Sequence, residues 1–311
     1  MGWLYNRYAV LGVFIIGMSL IPFNDALMKQ LSTSIPVFEF LVLRGGFMLL
    51  GVLCIPVTFV ALREVGWVGL IQVFLRGTLL VLALTLLFLS ISMVKLATAY
   101  AMFFTAPMMI SLAAVPLLGE RLSLVRLLAV CLGLVGAIVH TKPWTGELSP
   151  WMGLAILAAM VYAAYQLVTR MLPQNVKIGA AVTGLQLAYL FWGFLISWAM
   201  WQFGWQNDSS EGLDFLTRDW VGPSLGQWGI LLLCAAITLV WTYATTFAYR
   251  VAEASFVAPI EYIALPLAAI WGVVMLGESQ DSVTIAGLVI IILGGLTMAF
   301  DRQDTNAQKQ D

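Results

Sequence analysis

The residue best placed to do chemistry inside an apolar segment of this chain is Glu261. It stands between Pro259 and Pro266 in the stretch APIEYIALP, with hydrophobic residues on both sides. A carboxylate at membrane depth costs roughly 2.5–3.5 kcal/mol on insertion scales, so it is rarely retained for packing alone. Glu261 could bind a cationic substrate, take up a coupling proton or pair with Arg44. The structural alternative is an ion pair near the helix end, with Arg250 or Arg76.

Other charged residues also lie inside or near apolar segments. Arg44, in the second segment, could anchor an anionic group of a substrate or neutralise a carboxylate from another helix, and a structural ion pair is an equal alternative. Asp25 and Lys29 are spaced i,i+4, which favours a local ion pair. Asn24 and Asp25 are candidates for lining a cavity. Arg76 lies close enough to the predicted inner surface to snorkel.

Aromatic and amide side chains occupy the same depth as these charges. Rings around a carboxylate suit a cation or a flat ring system, through cation–π attraction or stacking. The composition of this site favours an organic cation, a zwitterion or an aromatic metabolite, although an arginine equally permits an anion. The candidate contacts besides Glu261, Arg44, Asn24 and Asp25 are Tyr262, Tyr100, Phe104, Tyr165, Gln166 and Trp241.

Prolines interrupt the fourth and ninth apolar segments at similar places. Pro107 and Pro116 lie in the fourth, and Pro259 and Pro266 in the ninth. A proline frees a backbone carbonyl, which at membrane depth is tolerated only beside protein or a wet cavity. Broken helices at corresponding places in two halves indicate a transport site. We expect Pro107, Pro259 and Pro266 to line the cavity; kinks that serve packing alone are the alternative.

The composition explains why these segments must lie in a membrane. Of 311 residues, 61% are hydrophobic and 10% are charged, against roughly 25% charged in a soluble domain. Mean hydropathy is +0.96. The net charge of −1 offers no basic face for nucleic acid, and three cysteines with one histidine support neither a disulfide framework nor a metal site. No cofactor is expected.

Ten stretches are long enough to cross the hydrocarbon, which takes about 20 residues of helix. An all-α integral membrane protein is therefore predicted, with lipid as its surroundings. With the N-terminus inside, ten of the fifteen Lys and Arg residues fall on the inner side and four outside, which predicts cytoplasmic termini in a bacterial inner membrane. A polar loop covers 204–225 and a disordered tail 301–311. The stretches are 8–29, 36–60, 69–93, 97–118, 124–141, 150–170, 180–203, 226–249, 254–276 and 283–300.

An internal repeat organises these ten stretches. Residues 115–120 read VPLLGE and residues 273–278 read VVMLGE, an offset of 158 residues. The predicted units are 1–145 and 146–300, each of five spans, and an odd number of spans makes the second unit an inverted copy of the first. Glu120 and Glu278 each follow a glycine and precede the next span, so we expect them to bond free amides at that helix start.

The two repeated segments resemble those of the EamA-type branch of the drug/metabolite transporter superfamily. The resemblance rests on residues 96–123 and 252–280, both with a Leu-Gly-Glu ending, and on Leu43-Arg44 in the second span. Segment 258–278 is similar to a subgroup that takes up S-adenosylmethionine or riboflavin. The resemblance implies ten helices, cytoplasmic termini and a central cavity reached alternately from either side.

Three functions are then compared. A secondary transporter with alternating access accounts for the repeat, the paired breaks and the intramembrane charges, and the absence of a Walker motif excludes direct use of ATP. An intramembrane enzyme would need a nucleophile with a base or paired carboxylates, which no spacing indicates. A non-transporting receptor is the third. Small residues at 129, 133 and 137 predict helix packing, with a homodimer across that face as an alternative use.

Overall fold

The computed structural model describes residues 7–54, 61, 63–142, 149–203, 217–279 and 281–297, and within these ranges every regular element is helical. The predicted loop 204–225 lies partly, and the predicted tail 301–311 wholly, outside the described residues. The helices are α1 Arg7–Leu31, α2 Val37–Leu53, α3 Gly66–Met93, α4 Leu96–Phe103, α5 Ala106–Leu118, α6 Leu124–Thr141, α7 Pro150–Met171, α8 Ile178–Phe203, α9 Leu225–Val251, α10 Ala254–Val257, α11 Ala264–Leu276 and α12 Ser282–Thr297.

The helices coincide with the ten apolar stretches, and seven spans are long and apolar enough to cross a bilayer. Two further apolar helices, Leu124–His140 and Ser282–Gly294, are shorter, and α2 has 17 residues. Large apolar side chains face outward, among them Leu225 and Trp67, which are 89% and 83% exposed. Such a surface is stable only in lipid. The chain is an all-α, multi-pass integral membrane protein.

The fourth and ninth stretches are both broken, as the prolines predict. The fourth is divided into α4 and α5, with Pro107 in the first turn of α5, where its missing N–H costs nothing. The ninth runs from α10 through a 3₁₀ segment, Ala258–Ile263, into α11. Pro116, by contrast, lies inside α5 without ending it.

The helices α6 and α12 pack closely through their small residues. A Cβ on Gly136 would lie 2.7 Å from the carbonyl oxygen of Gly287, and a Cβ on Gly133 would lie 2.3 Å from the ring of Tyr262. Ala129 and Ala137 are buried on the same face. This face is covered within the chain, which confirms the predicted helix packing, and a homodimer stays a prediction.

The two Leu-Gly-Glu segments end α5 and α11 with the same backbone geometry. Gly119 and Gly277 both adopt the left-handed conformation, with φ of 68° and 66°, which favours glycine at a helix end. Glu120 N–H donates to Ala114 O and Glu278 N–H to Gly272 O, at 3.3 and 3.0 Å. The correspondence keeps the offset of 158 residues.

The carboxylates of these segments cap helices in the opposite half of the chain. Glu120 accepts the N–H groups of Ala254 and Ser255 at 2.9 and 2.8 Å, at the start of α10. Glu278 accepts the N–H of Leu96 at 2.9 Å, at the start of α4. The expectation that each glutamate caps the next helix is therefore wrong, because other side chains hold those positions. Ser123 caps α6 and Asp281 caps α12.

Candidate functional site

A cavity lies where the broken stretches meet α1, α2, α3, α7 and α9. Its volume is about 40 Å³, room for roughly three water molecules, whereas sites for drug-sized ligands enclose about 300–1,000 Å³. In this conformation the cavity is therefore too small for such a ligand. Its lining comprises Met18, Ile21, Asn24, Asp25, Arg44, Leu84, Leu87, Phe88, Tyr100, Phe103, Phe104, Tyr162, Thr238, Trp241, Glu261 and Ala264.

Asp25 is held by a chain of hydrogen bonds across three helices. The hydroxyl of Tyr100 donates to Oδ2 through a short bond, and Nδ2 of Asn24 donates to Oδ1 at 2.8 Å. Thr238 donates in turn to Oδ1 of Asn24 at 3.3 Å. The predicted local pair of Asp25 with Lys29 is absent, since the Lys29 ammonium bonds Glu278 at 3.0 Å and Val94 O at 2.7 Å. Tertiary partners outcompete the i,i+4 neighbour here.

Glu261 lies in the 3₁₀ segment and is bound by phenol groups alone. The hydroxyls of Tyr249 and Tyr162 donate to its Oε1 at 2.6 and 3.1 Å, and Gln166 donates to the Tyr162 hydroxyl. No described basic side chain forms an ion pair with it. The predicted alternatives of a pair with Arg44 or Arg250 are therefore wrong, and Arg250 instead donates to Pro173 O at 3.0 Å.

Arg44 is 1% exposed and lies among aromatic rings. Its guanidinium carbon is 4.9 Å from the ring centres of Phe40 and Tyr189 and 5.5 Å from that of Phe88. Nε and Nη2 have no hydrogen-bond partner, and no ion pair joins Arg44 to an acidic residue of the described ranges. The structural ion pair that the sequence left open does not form.

Aromatic rings cover the side of the cavity formed by α4 and α7. The ring centres of Tyr100 and Phe104 are 5.7 Å apart, those of Phe103 and Phe104 6.1 Å, and those of Phe103 and Tyr162 5.1 Å. On the α9 side, Trp241 donates its indole N–H to Met18 at 3.2 Å. These rings offer stacking surface between the two carboxylates.

The structure brings seven of the ten predicted contacts into the cavity and leaves three outside. The seven are Asn24, Asp25, Arg44, Tyr100, Phe104, Trp241 and Glu261. Tyr165, Gln166 and Tyr262 are buried but do not line it. The prolines 107, 259 and 266 do not line it either, although the breaks beside them position Phe104 and Glu261. Sequence reasoning missed Thr238 and Tyr249, which only the hydrogen-bond network identifies.

Arg76 departs furthest from its prediction, because it does not snorkel to a surface. It is fully buried and donates to Thr169 Oγ1 at 2.6 Å, the Tyr165 hydroxyl at 2.6 Å, Thr246 Oγ1 at 2.9 Å and Ala181 O at 3.1 Å. Its guanidinium also lies 4.3 Å from the Tyr165 ring centre. Four neutral acceptors on α7, α8 and α9 thus replace water around this cation.

Comparisons with known proteins agree with this architecture. Residues 7–141 match the EamA-like transporter family. A riboflavin transporter of Brucella anthropi is 27% identical over 67% of this chain and 68% of its own length. An S-adenosylmethionine uptake transporter of Rickettsia prowazekii is 23% identical over 96% and 95%. The pseudopaline exporter CntI of Pseudomonas aeruginosa is 24% identical over 88% and 90%.

A known crystal structure has the same fold. It superposes with a TM-score of 0.68 at 18% identity and covers 94% of this chain and 96% of its own. At that identity the likeness concerns the fold alone.

Proposed function

We propose that the chain is an EamA-type member of the drug/metabolite transporter superfamily and that it carries a small organic metabolite across the bilayer by alternating access. It is a small-molecule transporter and not an enzyme. The named substrates of its relatives, riboflavin, S-adenosylmethionine and pseudopaline, differ in size and charge. The relatives include both uptake and export proteins, so neither direction is transferred to this chain.

The observation that carries the proposal is a small cavity that contains charged groups. Asp25, Arg44 and Glu261 line a space of about 40 Å³, far below the volume of a metabolite site. Charges buried without an opposite charge are costly and mark substrate or ion pathways in membrane proteins. A metabolite could reach them only if helices part, so binding requires a second conformation.

An inverted repeat supplies two such conformations in the proposed mechanism. Support comes from the reciprocal caps: Glu120 binds the start of α10, and Glu278, 158 residues later, binds the start of α4. A repeat whose halves exchange the same contact is what a two-fold axis in the membrane plane produces. We place the units at 1–145 and 146–300, both termini in the cytoplasm, and the protein in a bacterial inner membrane.

Alternating access can be tested with one cysteine in the cavity. Thr238→Cys, in a chain whose Cys54, Cys131 and Cys234 are replaced by serine, is labelled with an impermeant maleimide from each face of oriented vesicles. S-adenosylmethionine and riboflavin serve as ligands. We expect labelling from one face to fall as labelling from the other rises. Labelling that no condition shifts between faces would contradict alternating access and favour a non-transporting receptor.

We further propose that Glu261 takes up a coupling proton during transport. Both tyrosine hydroxyls donate to Oε1, and an oxygen of an ionised carboxylate can accept two such hydrogen bonds. No described cation forms an ion pair with the Glu261 carboxylate. In proteoliposomes, Glu261→Gln should abolish the dependence of uptake on a pH gradient. Glu64→Gln, which removes a half-exposed glutamate paired with Lys177, is the matched control. Unchanged uptake and unchanged pH dependence in Glu261→Gln would exclude this role.

A further inference from the structure

The side-on edge of the Arg44 guanidinium is the least satisfied polar group of the cavity. Nε–H and the adjacent N–H of Nη2 point in the same direction, and neither nitrogen has a hydrogen-bond partner in the part of the chain that the structure describes. Arg44 is 1% exposed and contributes to the cavity lining. A buried donor without a partner loses its hydration without compensation, and the loss is largest for a charged group.

The packing around Arg44 fixes this edge in place. Rings from three helices, Phe40 of α2, Phe88 of α3 and Tyr189 of α8, surround the guanidinium at 4.9–5.5 Å. Cation–π contacts stabilise the charge but leave the N–H groups unbonded. Two parallel N–H groups of an arginine match the two oxygens of a carboxylate.

The other charges of the cavity restrict the kind of anion that could bind there. Asp25 and Glu261 are both acidic, so a phosphate group or a simple anion would be repelled by two carboxylates. Both phenols bond Oε1 of Glu261, and within the described ranges Oε2 receives no hydrogen bond. Arg44 and Glu261 both line the cavity, and together they hold two donors and one acceptor oxygen that have no partner among the described residues.

We propose that the substrate is a zwitterion whose carboxylate binds Nε and Nη2 of Arg44 and whose cationic group faces Oε2 of Glu261. This assignment rests on the proposed transport function. The carboxylate reaches the edge of Arg44 as the cavity widens to admit the substrate. The aromatic side formed by Tyr100, Phe103 and Phe104 then receives the remainder of the molecule. Arg44 determines specificity because it rejects an otherwise identical molecule without the carboxylate.

The test compares carboxylates with partners that differ only in that group. The full chain is purified in detergent, and thermal unfolding is titrated with S-adenosylmethionine and decarboxylated S-adenosylmethionine, and with methionine, arginine, histidine and phenylalanine beside their carboxamides. We expect at least one carboxylate to bind the wild type roughly tenfold or more tightly than its partner, since charge-assisted bidentate bonds have that magnitude. In Arg44→Gln the two should bind alike.

Two controls separate recognition from folding. Arg44→Lys keeps the charge but loses the paired donors, so it should discriminate less than the wild type. Arg63→Gln removes an exposed arginine and should leave discrimination unchanged. The proposal is wrong if discrimination persists in Arg44→Gln, or if no carboxylate of the panel binds more tightly than its partner.

Failure of this proposal can be told apart from failure of the transport function. Riboflavin has no carboxylate. If riboflavin moves Thr238→Cys labelling from one face to the other and binds wild type and Arg44→Gln equally, transport stands and the zwitterion site falls. If neither S-adenosylmethionine nor riboflavin shifts the labelling from one face to the other, the transport function itself fails.

Discussion

Glu120 and Glu278 end two stretches of similar sequence, yet they bind the helix starts that they cap in different ways. We call these contacts the Glu120 cap, on the start of α10, and the Glu278 cap, on the start of α4. In the Glu120 cap, each carboxylate oxygen accepts one backbone N–H, from Ala254 and Ser255, and Arg170 lies 3.7 Å away. The Arg126 side chain also bonds Ser255 Oγ at 2.7 Å. The start of α10 is therefore bound at several points.

In the Glu278 cap, only one of the two carboxylate oxygens forms hydrogen bonds to described residues. Oε1 accepts both Leu96 N–H at 2.9 Å and Lys29 Nζ at 3.0 Å, while Oε2 is buried without a partner. A Cβ on Gly272 would lie 2.6 Å from this Oε2, and the corresponding position in the Glu120 cap is Ala114. The carboxylate of Glu278 therefore lies back against its own helix, where the alanine would not allow it.

The two caps therefore share their backbone geometry but differ in how their carboxylate oxygens are used. The two caps lie at opposite ends of the stretch from Leu96 to Leu118, which spans roughly 35 Å at 1.5 Å per residue. Hydrogen bonds to a charged group each contribute about 1.5–3 kcal/mol. The end of the molecule at the Glu278 cap should therefore open more readily.

Removing Glu120 is expected to have the largest effect. Glu120→Ala leaves two amides without their acceptor and removes the ion pair with Arg170, so it should lower the free energy of unfolding by roughly 3 kcal/mol. Thermal unfolding in detergent measures this loss. In the Thr238→Cys background, labelling should rise from the face nearest residue 120. A loss smaller than that of Glu278→Ala would reverse the comparison between the caps.

Removing Glu278 should open the opposite face at a smaller cost. Glu278→Ala loses one amide bond and the contact with Lys29, but it also removes an oxygen that has no partner, so we expect a loss of about 1–2 kcal/mol. Labelling of Thr238→Cys should rise from the face nearest residue 278. Increased labelling from the same face in both variants would contradict the assignment of one cap to each end.

The smallest effect is expected where the caps differ by one methyl group. Gly272→Ala places a Cβ against Oε2 of Glu278 and should turn that carboxylate towards the start of α4, as in the Glu120 cap. Alanine also favours the helix by about 1 kcal/mol over glycine, so the free energy of unfolding should change by less than about 1 kcal/mol. Labelling from the face nearest residue 278 should fall. Ala114→Gly, the reciprocal change, should raise it at the other face.

The fold was largely predictable because its signals are local. Apolar runs of about 20 residues identify spans, and Pro107 and Pro259 predict where two of them break. Buried charge also indicated the position of the cavity, since Asp25, Arg44 and Glu261 all contribute to its lining. These inferences need no knowledge of which helices are neighbours.

The partners of the charged groups could not be predicted, because they come from distant parts of the chain. Lys29 bonds Glu278, 249 residues away, instead of Asp25 in its own helix. Arg76 was expected to reach a surface. Its buried position could not be predicted because its four acceptors lie 89–170 residues further along the chain. For the caps a signal did exist: the offset of 158 residues relates Leu96 to Ala254 as it relates Glu120 to Glu278.

Arg76 has a mechanical consequence for the proposed transport cycle. Its guanidinium joins α3, from the first half of the chain, to three helices of the second half through four hydrogen bonds. Sliding α3 past those helices would leave a buried cation without its acceptors, so the four helices should move together. In the proposed mechanism, each body that moves during transport would then contain helices from both halves of the chain, and the division between moving bodies would not fall between residues 145 and 146.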